Sequence, residues 1–126
     1  MRSAIFEQHL RVLALAHRID VSPDDQWIVV HGFQLPVGYS SSEISILVYI
    51  PPDYPVSPPG YPEGLFVPQG LRFQGHRLFH IHENATPGWG AWAWLCFHSL
   101  AWDCHRDDLV RFLEMIRADL SNPHTN

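Results

Sequence analysis

YPVSPP, Tyr54 to Pro59, comes just after EISILVYI, Glu43 to Ile50, and together the two stretches decide how the chain is read. In EISILVYI the residues Ile44, Ile46, Val48 and Ile50 recur at every second position, the period of a strand with one buried face. In YPVSPP three residues of six are proline. Proline offers no N–H to a ladder and biases the residue before it toward extended geometry. The seven prolines from Pro51 to Pro68 therefore make a rigid loop laid over a core, not a further ladder strand. Tyr54, Tyr61, Leu65 and Phe66 are interleaved among them and supply apolar surface for packing, which sets the loop apart from a flexible proline-rich ligand. A third strand fits around Gly64 to Val67.

Working outward, QWIVVHGFQLP alternates Trp27, Val29, His31 and Phe33 with Ile28 and Val30, and Pro36 closes it as a strand. Across the loop GYSSS it pairs with Glu43 to Ile50 as an antiparallel hairpin. Before it, SAIFEQHLRVLALAHRI, residues 3 to 19, puts Ile5, Leu10, Leu13 and Ala16, with Phe6 and His17, at helical spacing behind a Ser3 cap. Downstream, RLFHIHEN alternates briefly, ATPGWGAWAW reads as irregular, and WAWLCFH reads as extended. The closing DDLVRFLEMIRADL places Leu109, Phe112, Leu113, Ile116 and Leu120 on one helical face. Asp107 and Asp108 favour its start and SNP, Ser121 to Pro123, ends it. The expectation is one α+β domain over residues 1–126: an N-terminal helix, an antiparallel meander of about four strands and a C-terminal helix.

Composition removes whole classes of function. Apolar residues at 46% against charged residues at 17% exclude a disordered tail. A formal net charge of −5 argues against a phosphate-backbone partner, so no nucleic acid is expected. No apolar run reaches membrane-spanning length and the first residues lack a signal-peptide pattern, so the chain is expected in the cytoplasm, away from membranes. In that compartment its two cysteines are expected as free thiols.

The first helix, the strand meander, a Tyr-Pro-x-x-Pro-Pro match at Tyr54, Pro55, Pro58 and Pro59, and a cysteine, Cys96, followed by Trp102 and a helix from about Asp107 resemble the ubiquitin-conjugating enzyme superfamily. The resemblance covers roughly Ser3 to Leu120. More narrowly, WIVVHGFQLP, IPPDYP and WDCHRDDLVRFLEMIRADL are similar to a bacterial branch called prokaryotic family E. This implies an enzyme that takes a ubiquitin-like protein from an activating enzyme onto Cys96 and passes it to a target protein, in an antiviral conjugation system and without a cofactor. His82-Glu83-Asn84 stands in place of the His-Pro-Asn of eukaryotic relatives, which makes His82 and Asn84 candidates for stabilising charge. His98 stands two residues past the cysteine, where aspartate is usual.

That chemistry suits the residues. A thiolate is a strong nucleophile near neutral pH. In extended backbone Cys96 and His98 project to one face, which puts a base with an ordinary pKa of about 6.5 beside the thiol. The bland alternative for Cys96 is a small buried hydrophobe. Cys104, past Trp102 and just before the last helix, is a weaker nucleophile candidate and reads as a packed thiol. Cys96, His98, Cys104 and His105, with His76, His80 and His82, include the ligand types zinc prefers, yet they lack the paired-ligand spacing of a structural zinc site, so no metal is expected. Trp92, Trp94 and Trp102 read as core and lid residues, Gly88 to Trp94 as a lid over the site, and Trp89 as an exposed partner contact. Two rivals to the enzyme are a catalytically silent binding module of the same superfamily and a small zinc-binding domain.

Overall fold

The computed structural model describes residues 3–61, 64–78, 81–87, 89–95 and 101–123. Helix α1, Ala4–Leu13, opens the chain behind the expected cap: the Ser3 hydroxyl accepts the Phe6 N–H at 3.1 Å. It is shorter than its apolar pattern. Past Leu13 the chain tightens into a turn closed by Leu15 N–H to the Val12 carbonyl and Ala16 N–H to the Leu13 carbonyl. His17 Nδ1–H then donates to the His31 carbonyl at 2.8 Å and draws the chain onto the sheet. Phe6, Leu10 and Leu13 are the helix's core residues, whereas Ile5 and Ala16, expected beside them, are exposed.

The strands are β1 (Ile19–Val21), β2 (Trp27–Gln34), β3 (Glu43–Tyr49), β4 (Leu65–Val67), β5 (Arg72–Phe73), β6 (His76–Arg77), β7 (Ile81–Ala85) and β8 (Trp92–Leu95). Six of them form one sheet in the order β1-β2-β3-β4-β8-β7, antiparallel at every pairing, and β5–β6 form a separate hairpin. The expected meander of about four strands is therefore extended by a β7–β8 hairpin added at the β4 edge.

The β2–β3 hairpin carries one irregularity that redirects its side chains. Val30 faces Ile46 and Phe33 faces Ile44, so His31 and Gly32 together oppose Ser45 alone. Gly32 takes the extra residue's turn at φ +72°. Such a bulge flips the facing of the residues beyond it. Phe33 thus joins Ile28 and Val30 on the helix-facing side instead of sharing a face with Trp27 and Val29, as plain alternation predicts. His31 bridges the bulge, its Nδ1 sharing a hydrogen bond with Ser45 Oγ at 2.8 Å and its Nε2 with Asp20 Oδ2 at 2.7 Å.

Helix α2, Leu109–Leu120, buries the five residues its spacing selects, Leu109, Phe112, Leu113, Ile116 and Leu120. Asp108 caps it by accepting the Arg111 N–H at 2.8 Å. Both helices share one core with the sheet face formed by Ile28, Val30, Phe33, Ile44, Ile46, Val48, Leu65, Val67, Ile81, Ala93 and Leu95. The opposite face carries a second cluster, Trp27, Val29, Leu47 and Phe66, against which Tyr49, Trp89, Trp92 and Trp94 pack. No described helix is long and apolar enough to cross a membrane.

Candidate active site

The proline turn comes directly after β3 and folds back onto α1. Tyr54 is buried at 5% exposure, its ring 5.6 Å from Phe6 and 5.6 Å from His9 of α1. Its hydroxyl shares a 2.6 Å hydrogen bond with His9 Nδ1. Burial, helped by the nearby Asp108 charge, pushes the Tyr54 phenol well above its ordinary value and keeps it neutral. His9 is held below its ordinary 6.5 by burial, with Asp108 pulling the other way.

Trp102, six residues past Cys96 in sequence, meets the same place. The Trp102 ring sits 6.0 Å from that of Tyr54, and its indole N–H donates to the Pro55 carbonyl at 2.8 Å. Beyond Trp102 the chain is tied by its own carboxylates. Asp103 N–H donates to Asp107 Oδ2 at 2.7 Å and His105 N–H to Asp103 Oδ1 at 2.9 Å. This turn delivers Asp108 to its capping position, and Cys104 sits within it as a half-buried free thiol.

Cys96 and His98 lie outside the described residues, as do His80 and Gly88. Leu95, immediately before Cys96, is buried and pairs with Leu65 of β4 and Ile81 of β7. Trp92 and Trp94, expected in a lid, belong to a sheet strand. The alternation Trp92, Ala93, Trp94, Leu95 sends both tryptophans to the helix-free face and the smaller residues to the core. Trp89, expected as an exposed contact, is half-buried against that face, and its carbonyl accepts the Trp92 indole N–H at 2.8 Å.

His82 is exposed and its ring lies 4.9 Å from Trp94, directly across the β7–β8 pairing. Glu83 turns the other way, accepting Gly70 N–H at 3.2 Å and the Arg72 guanidinium at 3.2 Å. Asn84 has a left-handed backbone, φ +60°, and its N–H donates to Gln69 Oε1 at 2.9 Å, which leaves the amide side chain at the exposed rim. Among the described residues no three His, Cys, Asp or Glu side chains are grouped to hold a metal ion.

The structure thus brings Tyr54, Pro55 and Trp102 into one cluster and adds His9, which motif reading passed over. The signal for His9 was available only in part: it lies three residues past Phe6 and so on a core-adjacent helical face. Nothing local marks its partner 45 residues away.

A family model described as prokaryotic E2 family E matches residues 7–122. The chain belongs to this family. Prokaryotic E2 family E is a branch of the ubiquitin-conjugating superfamily, and the helix–antiparallel sheet–helix order found here fits that fold. Membership carries a ubiquitin-conjugating-like role in general terms, in company with ubiquitin-like proteins and activating enzymes. Searches of curated proteins and of solved structures found no match.

Proposed function

We propose that this family E protein, acting as one domain, is a conjugating enzyme that carries a ubiquitin-like protein as a thioester on Cys96. In the first step the Cys96 thiolate attacks the thioester carbonyl presented by the activating enzyme. A new carbon–sulfur bond forms, the carbon–sulfur bond to the activating enzyme breaks, and that enzyme's cysteine departs as a thiolate. In the second, an amine of the target attacks the Cys96 thioester, an amide forms, and Cys96 leaves as a thiolate. His98 takes the proton, a role suited to an imidazole near neutral pH. His82 and Asn84 are the candidates for stabilising the oxyanion that develops in both steps. The setting implied by the resemblance is bacterial cytoplasm and an antiviral conjugation system.

The observation that carries this reading is the indole of Trp102 donating to the Pro55 carbonyl. It joins Trp102, six residues past Cys96 in sequence, to the Tyr54–Pro59 turn, and both belong to the residues that carry the resemblance. Incubation with the cognate activating enzyme, the ubiquitin-like protein and ATP tests it: an adduct cleaved by thiol reductant, and absent in Cys96→Ala, is expected. Binding without an adduct refutes the enzyme in favour of a silent binding module, and stoichiometric zinc with no adduct refutes it in favour of a metal-stabilised domain.

A further inference from the structure

Helix α1 stops at Leu13, short of its apolar pattern, and His17 then draws the chain onto β2. The end of α1, the end of β2 and one face of α2 leave a groove of about 180 Å³ between them. Its most deeply buried lining is Leu13, Phe33 and Leu113, each at most 7% exposed, and Ala16 and Val110 line it nearer to water. The turn that carries Leu13 and Ala16 also holds Val12, 41% exposed, and Leu15, 87% exposed. Apolar surface therefore gathers at this end of α1 both inside the groove and beside it.

Four polar side chains share the lining, and their commitments differ. Glu114 is tied to Arg111 at 3.2 Å, and the Gln34 amide donates to Glu43 at 2.7 Å. Arg117 donates its Nε–H to the Gln34 carbonyl at 3.1 Å, which fixes its stem, and among the described residues no carboxylate pairs with its guanidinium. His17 donates through Nδ1 to the His31 carbonyl, so in that tautomer Nε2 is left as an acceptor. A cation and an acceptor thus stand uncommitted beside an apolar slot. A peptide matches that set, with an apolar side chain for the slot, a carboxylate beside it for Arg117 and a backbone N–H for His17. A small organic acid offers the first two and has no N–H to give. Sites for cofactors and drug-sized ligands hold about 300–1,000 Å³, so a groove of this size takes one anchoring side chain.

We propose that the groove between α1 and α2 docks a segment of a partner protein through one leucine-sized side chain with a carboxylate next to it. The site shares no residue with the Tyr54–Trp102 cluster and goes beyond the proposed transfer, since docking here does not require an acyl group on the protein.

The test titrates the nitrogen-labelled full chain with the blocked peptide acetyl-Ala-Leu-Asp-Ala-amide and follows the backbone amide signals by NMR. Saturable shifts are expected at Ala16, His17, Phe33 and Gln34 and along α2 from Val110 to Arg117, with the remaining signals unchanged. Replacing the peptide's leucine by alanine, or its aspartate by asparagine, is expected to weaken binding about threefold or more. Arg117→Gln is expected to remove the preference for aspartate over asparagine while Arg117→Lys keeps it, and Ala16→Phe, which fills the slot, is expected to abolish the shifts. Each variant's unchanged signals outside the groove report that it is folded. Absent or scattered shifts, equal binding of the asparagine peptide, or a preference that survives Arg117→Gln overturn the proposal. Isocaproate binding as tightly as the peptide overturns it in favour of a small acid. Groove shifts that grow with protein concentration alone overturn it in favour of a second copy of the chain.

Discussion

Gly64 tests how the helix-free face of the sheet is closed. Its backbone sits at φ +118°, and a Cβ placed there falls on the indole of Trp94, against Nε1 and, at 2.7 Å, Cδ1. Gly64→Ala therefore has two separable costs. The backbone term, an L-residue forced to positive φ, is about 1–2 kcal/mol. The steric term arises because the indole is part of the cluster on Leu47 and Phe66 and cannot swing away without uncovering them. Overpacking of this kind costs about 1–3 kcal/mol. The sum, about 2–5 kcal/mol, is a large share of the ~5–15 kcal/mol that holds a domain of this size together. At about 3–5 °C per kcal/mol it lowers Tm by about 6–25 °C.

A double-mutant cycle separates the terms. In a Trp94→Ala background the indole is gone, so Gly64→Ala retains only the backbone term, and the coupling energy between the two sites is expected at about 1–3 kcal/mol. The assay is urea unfolding followed by far-ultraviolet circular dichroism, with equal m-values required across the four proteins. Strict additivity would show that Trp94 does not lie over Gly64, and the account of the outer face would fall with it.

Other parts of the fold make their own demands. Phe112 is fully buried at the centre of the helix-facing core, so Phe112→Ala is expected to cost about 3–5 kcal/mol, whereas Leu15→Ala at an 87% exposed position stays within about 0.5 kcal/mol in the same unfolding assay. The lowered His9 pKa means that the unfolded chain binds the proton more readily. Stability is then fully present above pH ~6.5 and declines as pH falls toward the folded-state value, a limb that His9→Asn flattens in Tm against pH. Tyr39, which donates to the Leu120 carbonyl at 2.7 Å, has its phenol pushed up to about 12 by burial and the Asp119 charge. Its contribution is present below pH ~10 and is lost as pH rises toward 12. After allowance for partial solvent screening it amounts to about 1 kcal/mol, and Tyr39→Phe removes that alkaline limb.

Helix α2 was fully legible because its apolar repeat, its aspartate cap and its terminating Ser-Asn-Pro agree on one answer. Helix α1 overran because Leu15 and Ala16 prolong the apolar run, while the stop comes from His17 reaching a carbonyl on β2, a long-range bond that periodicity cannot contain. The β2–β3 hairpin was legible as a pair, but the face of Phe33 was not, since the extra residue at His31–Gly32 reverses it. At the site, the Tyr54–Pro59 turn and Trp102 stood out as motifs. Their convergence, and the part of His9 in it, depends on contacts between residues 45 to 48 positions apart.

The glycine- and tryptophan-rich segment shows why composition alone misleads here. Its composition suggests a lid, yet Trp92 and Trp94 alternate with Ala93 and Leu95 at strand period, and the strand they make lies between β4 and β7. The tryptophans seal the sheet face that has no helix, Trp94 between Gly64 and His82. The added hairpin consequently brings the chain to Cys96 from a hydrogen-bonded strand end, with Leu95 buried in the core and Trp94 clamped outside it. Groups launched from a strand are held more precisely than groups on a loop. The β7–β8 hairpin therefore holds Leu95, the residue before Cys96 in sequence, by strand pairing on both sides, to Leu65 of β4 and to Ile81 of β7.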